Sequence, residues 1–461
     1  MPEPVRIEGS FRDPAGSLYR RDDHITRTVA TWFEPQFQAF LDSGLYDELV
    51  EAGLLIAHEE LDPATAPVSC ARYLRTPALP FVSYPWEWST RQLQAAADLT
   101  MELQLRALEH GLILRDASAF NVQFQGHRPV FVDTLSFAVA DLQRPWSAYG
   151  QFCRHFLAPL ALRVHVDPRL ADLQQLHLDG VPLDLASSLL PTGTRLSPSI
   201  GLHVHAHARS TRSAASRGGE PERVKVGPLA LQGVAEQLQR AVRRLRPALP
   251  GSHWSAYEQE LEHYGPAAVE RKQRAIDGWV ARLRPRRTVD LGSNRGSYSR
   301  IVAEHGSDVL AIDTDHATVE HTVRDIEADP PVAGSILAIR GDLLAPSPDL
   351  GWRNRERDAL RRRTHTDLVL ALAIIHHVTI SGEVPLDRAV AGLTDHGAHL
   401  VIEWVPPGDP KVEQLLATRP EPVRGYETEV FLKALREAGT IVDEVALGEG
   451  GRTLFLVEVT S

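Results

Sequence analysis

From about residue 286 onward, apolar runs alternate with amphipathic stretches. Seven strands are predicted: Thr288–Leu291, Asp308–Asp313, Ser335–Arg340, Asp367–Ile374, His399–Val405, Thr440–Leu447 and Thr453–Val459. The first five are continuous Val/Ile/Leu/Ala runs, as expected of parallel strands buried on both faces. The last two are joined only by Gly448-Glu449-Gly450-Gly451, which suits an antiparallel hairpin and is too short for a crossover. The pattern predicts a doubly wound α/β domain over 286–461. Upstream, Val234, Leu238, Ala241, Val242 and Leu245 form a helical stripe, and a second helix is predicted over Pro266–Leu283. Residues 228–285 are therefore expected to form a helical connector or lid. Residues 208–227 include an Arg/Ser/Gly-rich tract without apolar period and are expected to be a flexible linker or loop. Residues 1–207 read as a mixed α+β domain. A helix is predicted over Gln92–His110, followed by an apolar piece at Leu112–Leu114 and strands around Val122–Phe124 and Pro129–Val132.

Composition narrows the class. The chain has 461 residues, 43% hydrophobic and 24% charged, which fits a globular protein of two or three domains. Its net charge of −11 offers no overall basic surface for nucleic acid. No apolar run reaches the roughly 18 residues of a membrane span. Neither a signal peptide nor a disulfide framework is apparent, there being two cysteines, Cys70 and Cys153. The expected location is the cytoplasm. Only four lysines occur, Lys225, Lys272, Lys411 and Lys433, so residues 1–224 contain none.

The segment Thr288-Val-Asp-Leu-Gly-Ser-Asn-Arg-Gly-Ser-Tyr-Ser299 is a strand, a glycine-bearing turn and a helix start. Gly292 and Gly296 permit positive φ and close approach of a ligand. Asn294, between them, tolerates the left-handed region better than most residues. A dinucleotide fingerprint would need glycines at 292, 294 and 297, where this chain has Gly, Asn and Ser. Asp290, Gly292, Asn294 and Gly296 instead resemble motif I of class I S-adenosylmethionine (SAM) methyltransferases, with Asn294 as the departure. Asp313 ends the second strand, 21 positions after Gly292. A carboxylate at about that distance can accept from both ribose hydroxyls. Asp342 ends the third strand, where the resemblance implies adenine recognition. The residues implied to hold SAM are Asp290, Gly292, Ser293, Asn294, Gly296, Asp313, Thr314, Asp342 and Leu343.

The fourth strand runs into Leu370-Ala-Leu-Ala-Ile-Ile-His-His377, similar to small-molecule methyltransferases in which two histidines flank the methyl donor. Histidine suits removal of a proton from the acceptor, which makes His376 and His377 base candidates. Glu403, near the end of the fifth strand, is a candidate for binding a substrate hydroxyl or amine. Tyr426 and Glu427 are further candidates.

A second constellation lies in Leu112-Ile-Leu-Arg-Asp116-Ala-Ser-Ala-Phe-Asn121 and Phe131-Val-Asp133-Thr-Leu-Ser-Phe137. Asp116, Asn121 and Asp133 resemble the catalytic and metal loops of protein kinases and aminoglycoside-phosphotransferase-like proteins. The resemblance implies that Asp116 orients a hydroxyl while Asn121 and Asp133 hold magnesium. Glu102 would lie on the helix before that loop, and Phe81–Trp88 would be the hinge. The kinase lysine is missing, with Arg20 or Arg27 as its possible replacement, and Thr134-Leu135 stands where kinases have Phe-Gly. A degenerate scaffold is therefore expected, and no metal site. His203-Val-His-Ala-His207 would share one face of a strand, but their spacing there is too long to close on one ion.

As a whole, the chain resembles the larger bacterial methyltransferases of the host-specific nodulation type. The matching segments are Phe11–Gly16, Ser83–Trp88, Leu114–Asn121, Val132–Phe137 and the C-terminal motifs. The expectation is a SAM-dependent methyltransferase acting on a metabolite or natural-product intermediate. The alternatives are a bifunctional kinase-like methyltransferase and a SAM-binding regulator without catalysis.

Overall fold

The computed structural model describes residues 4–21, 24–141, 144–210, 226–247, 265–417, 425–448 and 450–460. Most of the expected linker, 211–225, lies outside these described residues. They form two compact units, one from Met1–Ala248 with Asp349–Arg357, the other from Leu249–Pro348 with Asp358–Ser461.

In the first unit, β1 (Val5–Arg6), β2 (Leu18–Arg20), β3 (His24–Val29), β4 (Glu59–Leu61) and β5 (Arg72–Pro77) form an antiparallel sheet in the order β1-β2-β3-β5-β4. A helix, Thr90–Glu109, follows. Ser89 and Gln92 form a reciprocal capping box at its start. Its last turn ends before Gly111, whose φ of 73° turns the chain into β6 (Leu112–Leu114). β7 (Val122–Gln125) and β8 (Arg128–Phe131) form a hairpin across Gly126-His127, and β9 (Phe137–Val139) returns to pair with β6. The expectation of one helical connector over 228–285 is corrected here. The Pro228–Arg244 helix belongs to this unit, burying Leu231, Ala235, Leu238, Ala241 and Val242. It is tied to the Thr90–Glu109 helix by Gln94 Nε2, which donates to the carbonyls of Val242 and Leu245 at 2.8 and 2.9 Å.

His203, His205 and His207 lie in a wide helical turn rather than on a strand. Helical spacing sends them in two directions. His203 and His207 both meet Tyr149, whereas His205 bonds Ser187 and Thr194 at 2.8 and 2.9 Å. These hydrogen bonds engage both ring nitrogens of His205 and Nδ1 of His203 inside the protein.

In the second unit, β10 (Arg287–Leu291), β11 (Asp308–Asp313), β12 (Ser335–Arg340), β13 (Thr366–Ala371), β14 (Gly397–Trp404), β15 (Gly439–Ala446) and β16 (Thr453–Val459) form one sheet. The order is β12-β11-β10-β13-β14-β16-β15; the first five strands are parallel and β16 is antiparallel to both neighbours. This is the expected Rossmann-like arrangement with a terminal hairpin. Leu368, Leu370, Val401, Leu454 and Leu456 face the Pro266–Leu283, Ser297–Glu304 and His316–Ala328 helices in one core. The intervening residues point to the other face, where Phe431 of the Thr428–Ala438 helix meets Phe455 at 5.8 Å. β13 ends three residues earlier than expected, because Ala373 adopts φ +50° and the chain then enters a wide turn at His377–Ser381.

Candidate functional site

The order of elements reverses between β10 and β13. In open α/β sheets the crevice beyond the carboxyl ends at that reversal is where ligands bind. A cavity of about 360 Å³ lies there. It falls within the range of small-molecule sites. Asp290, Gly292, Ser293, Asn294, Asp313, Thr314, Asp342 and Leu343 all line it, with Leu372, Ala373, Ile374, His377 and Ser381 from the end of β13.

Each residue of the turn after β10 has a local reason for its place. Gly292 has φ 71°, and a Cβ there would lie 2.5 Å from Ile374 Cδ1. Its N–H and that of Ser293 both donate to Ile312 O, at 2.9 and 3.0 Å. Asn294 takes φ 47°, and its backbone N–H donates to Asp313 Oδ2 at 2.9 Å. Its side-chain Oδ1 is buried with no hydrogen-bond partner. Gly296 does not line this cavity. With φ 75° it caps the Ser297–Glu304 helix, and a Cβ there would lie 3.3 Å from Thr322 Cγ2, so its work is turning and packing.

The acidic residues differ in what they touch. Asp290 is buried and accepts from Ser299 Oγ at 2.6 Å. Burial pushes its carboxyl up to about 6, against partial relief from Ser299 and Lys272. Asp313 accepts from the N–H groups of Asn294 and Asp315, both at 2.9 Å, and burial raises its pKa as well. Asp342 accepts from Leu344 N–H at 2.8 Å and sits on the rim. The last two have only backbone donors among these bonds, which leaves lone pairs for a ligand.

Of the base candidates, His377 lines the cavity and His376 does not. Their rings lie 4.2 Å apart. His376 is fully buried, with no partner at either ring nitrogen; burial, then the neighbouring charges, hold its pKa well below the usual range. His377 is lowered to about 4 by burial and by Lys411. Both imidazoles are neutral at pH 7.

Glu403 is corrected more sharply. It is fully buried and does not reach the cavity. It shares the sheet face of Val401, which looks onto the Pro266–Leu283 helix, and there Lys272 Nζ donates to Glu403 Oε2 at 2.6 Å. Arg452 reaches Glu403 at 3.4 Å while holding Asp409 with two bonds of 2.6 and 2.9 Å. Tyr426 donates to Val405 O and also lies outside the cavity lining. Glu427 precedes the Thr428–Ala438 helix and is likewise absent from that lining.

Lys272 itself lines the cavity, 4.4 Å from the centre of the Tyr298 ring, another lining residue. Sequence reasoning missed both. The signal for Lys272 was present: it interrupts the apolar stripe of its helix at a position in register with Ile276 and Trp279. A charge in that register is buried and needs a partner.

In the first unit, Asp116 and Asn121 sit in the loop between β6 and β7, and Asp133 follows β8. Asp133 pairs with Arg27 and accepts from Ser136 Oγ at 2.5 Å. Burial would raise its pKa, but Arg27, Ser136 and Arg115 hold it below the ordinary range. Asp116 accepts from Ser118 N–H at 2.8 Å and is raised by burial and by the charge of Asp133. Glu102 pairs with Arg106 on the Thr90–Glu109 helix.

The fold of the second unit defines a Rossmann-like α/β protein, with a cavity at its switch point. No family model matches the chain. The nodulation protein NoeA of Rhizobium meliloti (strain 1021) is 32% identical over 467 residues, covering 99% of this chain and 97% of that protein. The chain belongs to the family of that protein. Among solved structures it is similar to the magnesium protoporphyrin IX methyltransferase ChlM of Synechocystis PCC 6803 (17% identity, TM-score 0.30, 44% of this chain and 94% of that one). It is also similar to the N-methyltransferase NodS of Bradyrhizobium japonicum WM9 (14% identity, TM-score 0.29, 41% and 96%).

Proposed function

We propose that the chain is a class I SAM-dependent methyltransferase that methylates a small-molecule acceptor. One observation carries the reading: the motif residues implied by the sequence, Gly296 excepted, converge on a single cavity at the switch point. The fit to SAM is supported by the close approach at Gly292 and by the buried, unpartnered Oδ1 of Asn294, which suits a polar ligand.

In this reading Asp313 accepts from the ribose hydroxyls and Asp342 from the adenine amino group. Asp290 fixes the start of the Ser297–Glu304 helix through Ser299. Lys272 offers an ammonium to the carboxylate end of the ligand while Glu403 and Tyr298 hold its direction. When bound, SAM supplies an electrophilic methyl group. His377, neutral at pH 7, accepts the acceptor's proton at the cavity wall, and His376 supports it from behind. Among the described residues no helix is long and apolar enough to cross a membrane. With Cys70 and Cys153 both unpaired, the reading places the protein in a reducing cytoplasm.

Calorimetric titration with SAM tests the site: wild type should bind, and Asp313→Ala should bind at least about tenfold more weakly, the loss of one or two charge-assisted hydrogen bonds. Unchanged affinity would remove the ribose assignment. Incubating wild type and Asp313→Ala with labelled SAM and a metabolite extract tests catalysis. SAM binding without transfer to any metabolite would favour a regulator.

A further inference from the structure

The set Asp116, Asn121 and Asp133 resembles a kinase constellation that would hold a divalent cation. The side chains around it do not fit that cation. Asp133 is 8% exposed, and the Arg27 guanidinium, projected from β3, sits on its Oδ1. Its Oδ2 accepts from Ser136 Oγ at 2.5 Å. The same Ser136 oxygen accepts from Asn121 Nδ2 at 3.1 Å. Both oxygens of the carboxylate that would ligate an ion are thus closed into an internal network, which also takes the Asn121 amide nitrogen.

The surroundings are also cationic. Arg115 approaches from the loop after β6, held by both oxygens of Asp13 at 2.7 and 2.8 Å, and donates to Leu135 O. Arg357, from the Asp349–Arg357 segment of the same unit, lies 3.9 Å over the Phe120 ring beside the Asp116 loop. Among the described residues no group of three or more His, Cys, Asp or Glu side chains gathers to hold a metal ion. A divalent ion entering at Asp133 would face Arg27 at short range in a poorly solvated site. Admitting it would require Arg27 to swing out of a buried pair.

We infer that Arg27 is the resident cation of this cluster, in the position that the kinase-like pattern gives to magnesium, and that the first unit does not perform magnesium-dependent phosphoryl transfer. Arg27 therefore does not replace the missing phosphate-binding lysine. It ties β3 to the turn after β8 through Asp133. The cluster is a metal-free strut that fixes the Asp116–Asn121 loop.

The test uses the full chain and Mn2+ as the probe, read by calorimetry and by thermal melting. Wild type should show no saturable Mn2+ binding that depends on Asp133. Arg27→Met, which keeps an unbranched apolar stem and removes the charge, should bind Mn2+ at least tenfold more tightly than wild type. Adding Asp133→Asn to Arg27→Met should abolish that gain. Arg27→Lys keeps a cation in place and should behave as wild type, which covers the case in which Arg27→Met does not fold. Saturable Mn2+ binding or magnesium–ATP turnover in wild type, lost in Asp133→Asn, would overturn the inference. So would a folded Arg27→Met that gains no Mn2+ binding.

Discussion

Lys272→Met separates a structural role from a ligand-facing one. The ammonium is 4% exposed by residue, lies 2.6 Å from Glu403 Oε2, and its partner is fully buried. Removing one member of a buried ion pair costs about 3–5 kcal/mol, because the other charge is left uncompensated. Here Arg452 remains 3.4 Å from Glu403, although it is already committed to Asp409, so the lower end, about 3 kcal/mol, is expected. Lys272→Met combined with Glu403→Gln removes the orphaned charge and should be less destabilised than Lys272→Met alone, with a coupling of about 2 kcal/mol. The assay is chemical denaturation of the full chain, following the transition that added SAM shifts, since only the unit holding the ligand responds to it. SAM affinity should fall about tenfold or more in both variants, because Lys272 is on the cavity wall in neither. Equal destabilisation of single and double variants would refute the ion-pair reasoning. Unchanged SAM affinity would refute the cavity role while leaving the ion pair intact.

Gly292→Ala should cost about 1–2 kcal/mol of stability from its positive φ. The clash with Ile374 Cδ1 should also weaken SAM at least tenfold in calorimetry, and Ile374→Val in the same background should restore affinity but not stability. Asp290 titrates near 6 when folded against an ordinary 3.8, so it stays protonated longer in the folded state, and wild-type stability should fall as pH rises through that window, by about 3 kcal/mol in all. Asp290→Asn does not titrate, so its stability relative to wild type should climb by that amount between about pH 4 and pH 7; a flat difference in melts would show that the carboxyl is not buried. His377→Ala should lower methyl transfer by about 100-fold or more while SAM affinity changes little, if its imidazole takes the acceptor's proton; an equal loss of binding would make it a wall residue only.

The α/β sheet was legible because its five parallel strands are short apolar runs, and the first three end at an acidic or glycine-bearing turn, where the chain must reverse. The cavity residues followed from the same turns. What could not be read was side-chain direction across long sequence separation. Glu403 lies one residue before the end of β14, and only the alternation of that strand against the Pro266–Leu283 helix, 131 positions away, decides that it meets Lys272 rather than a substrate. Ala373 gave no warning of its φ of 50°, because alanine has no preference for that region; the strained position is set by packing at the end of β13. The three histidines at 203–207 were misread because an i, i+2, i+4 pattern suits one strand face, and nothing local excludes the helical turn that separates them. The neighbour of the 228–244 helix could not be read, since its apolar stripe identifies a buried face but not what buries it.

The two units carry acidic motifs of similar appearance in sequence, and their hydrogen-bond partners separate them. Asp313 and Asp342 are met by backbone N–H groups of their own turns, which orient a carboxylate without neutralising it. Such a group retains its charge and free lone pairs toward the cavity. Asp133 is met by a guanidinium and a hydroxyl, which satisfy the charge inside the protein. Burial acts on Asp313 and Asp133 alike, yet it raises Asp313 and fails to raise Asp133, because only the latter has a cation at contact. Carboxylates that keep an unmet demand at the edge of a cavity are poised for a ligand, whereas those whose demand is met internally hold the fold together. By that criterion Asp313 and Asp342 are the carboxylates open to a ligand, and Asp133 is one that holds its own unit together.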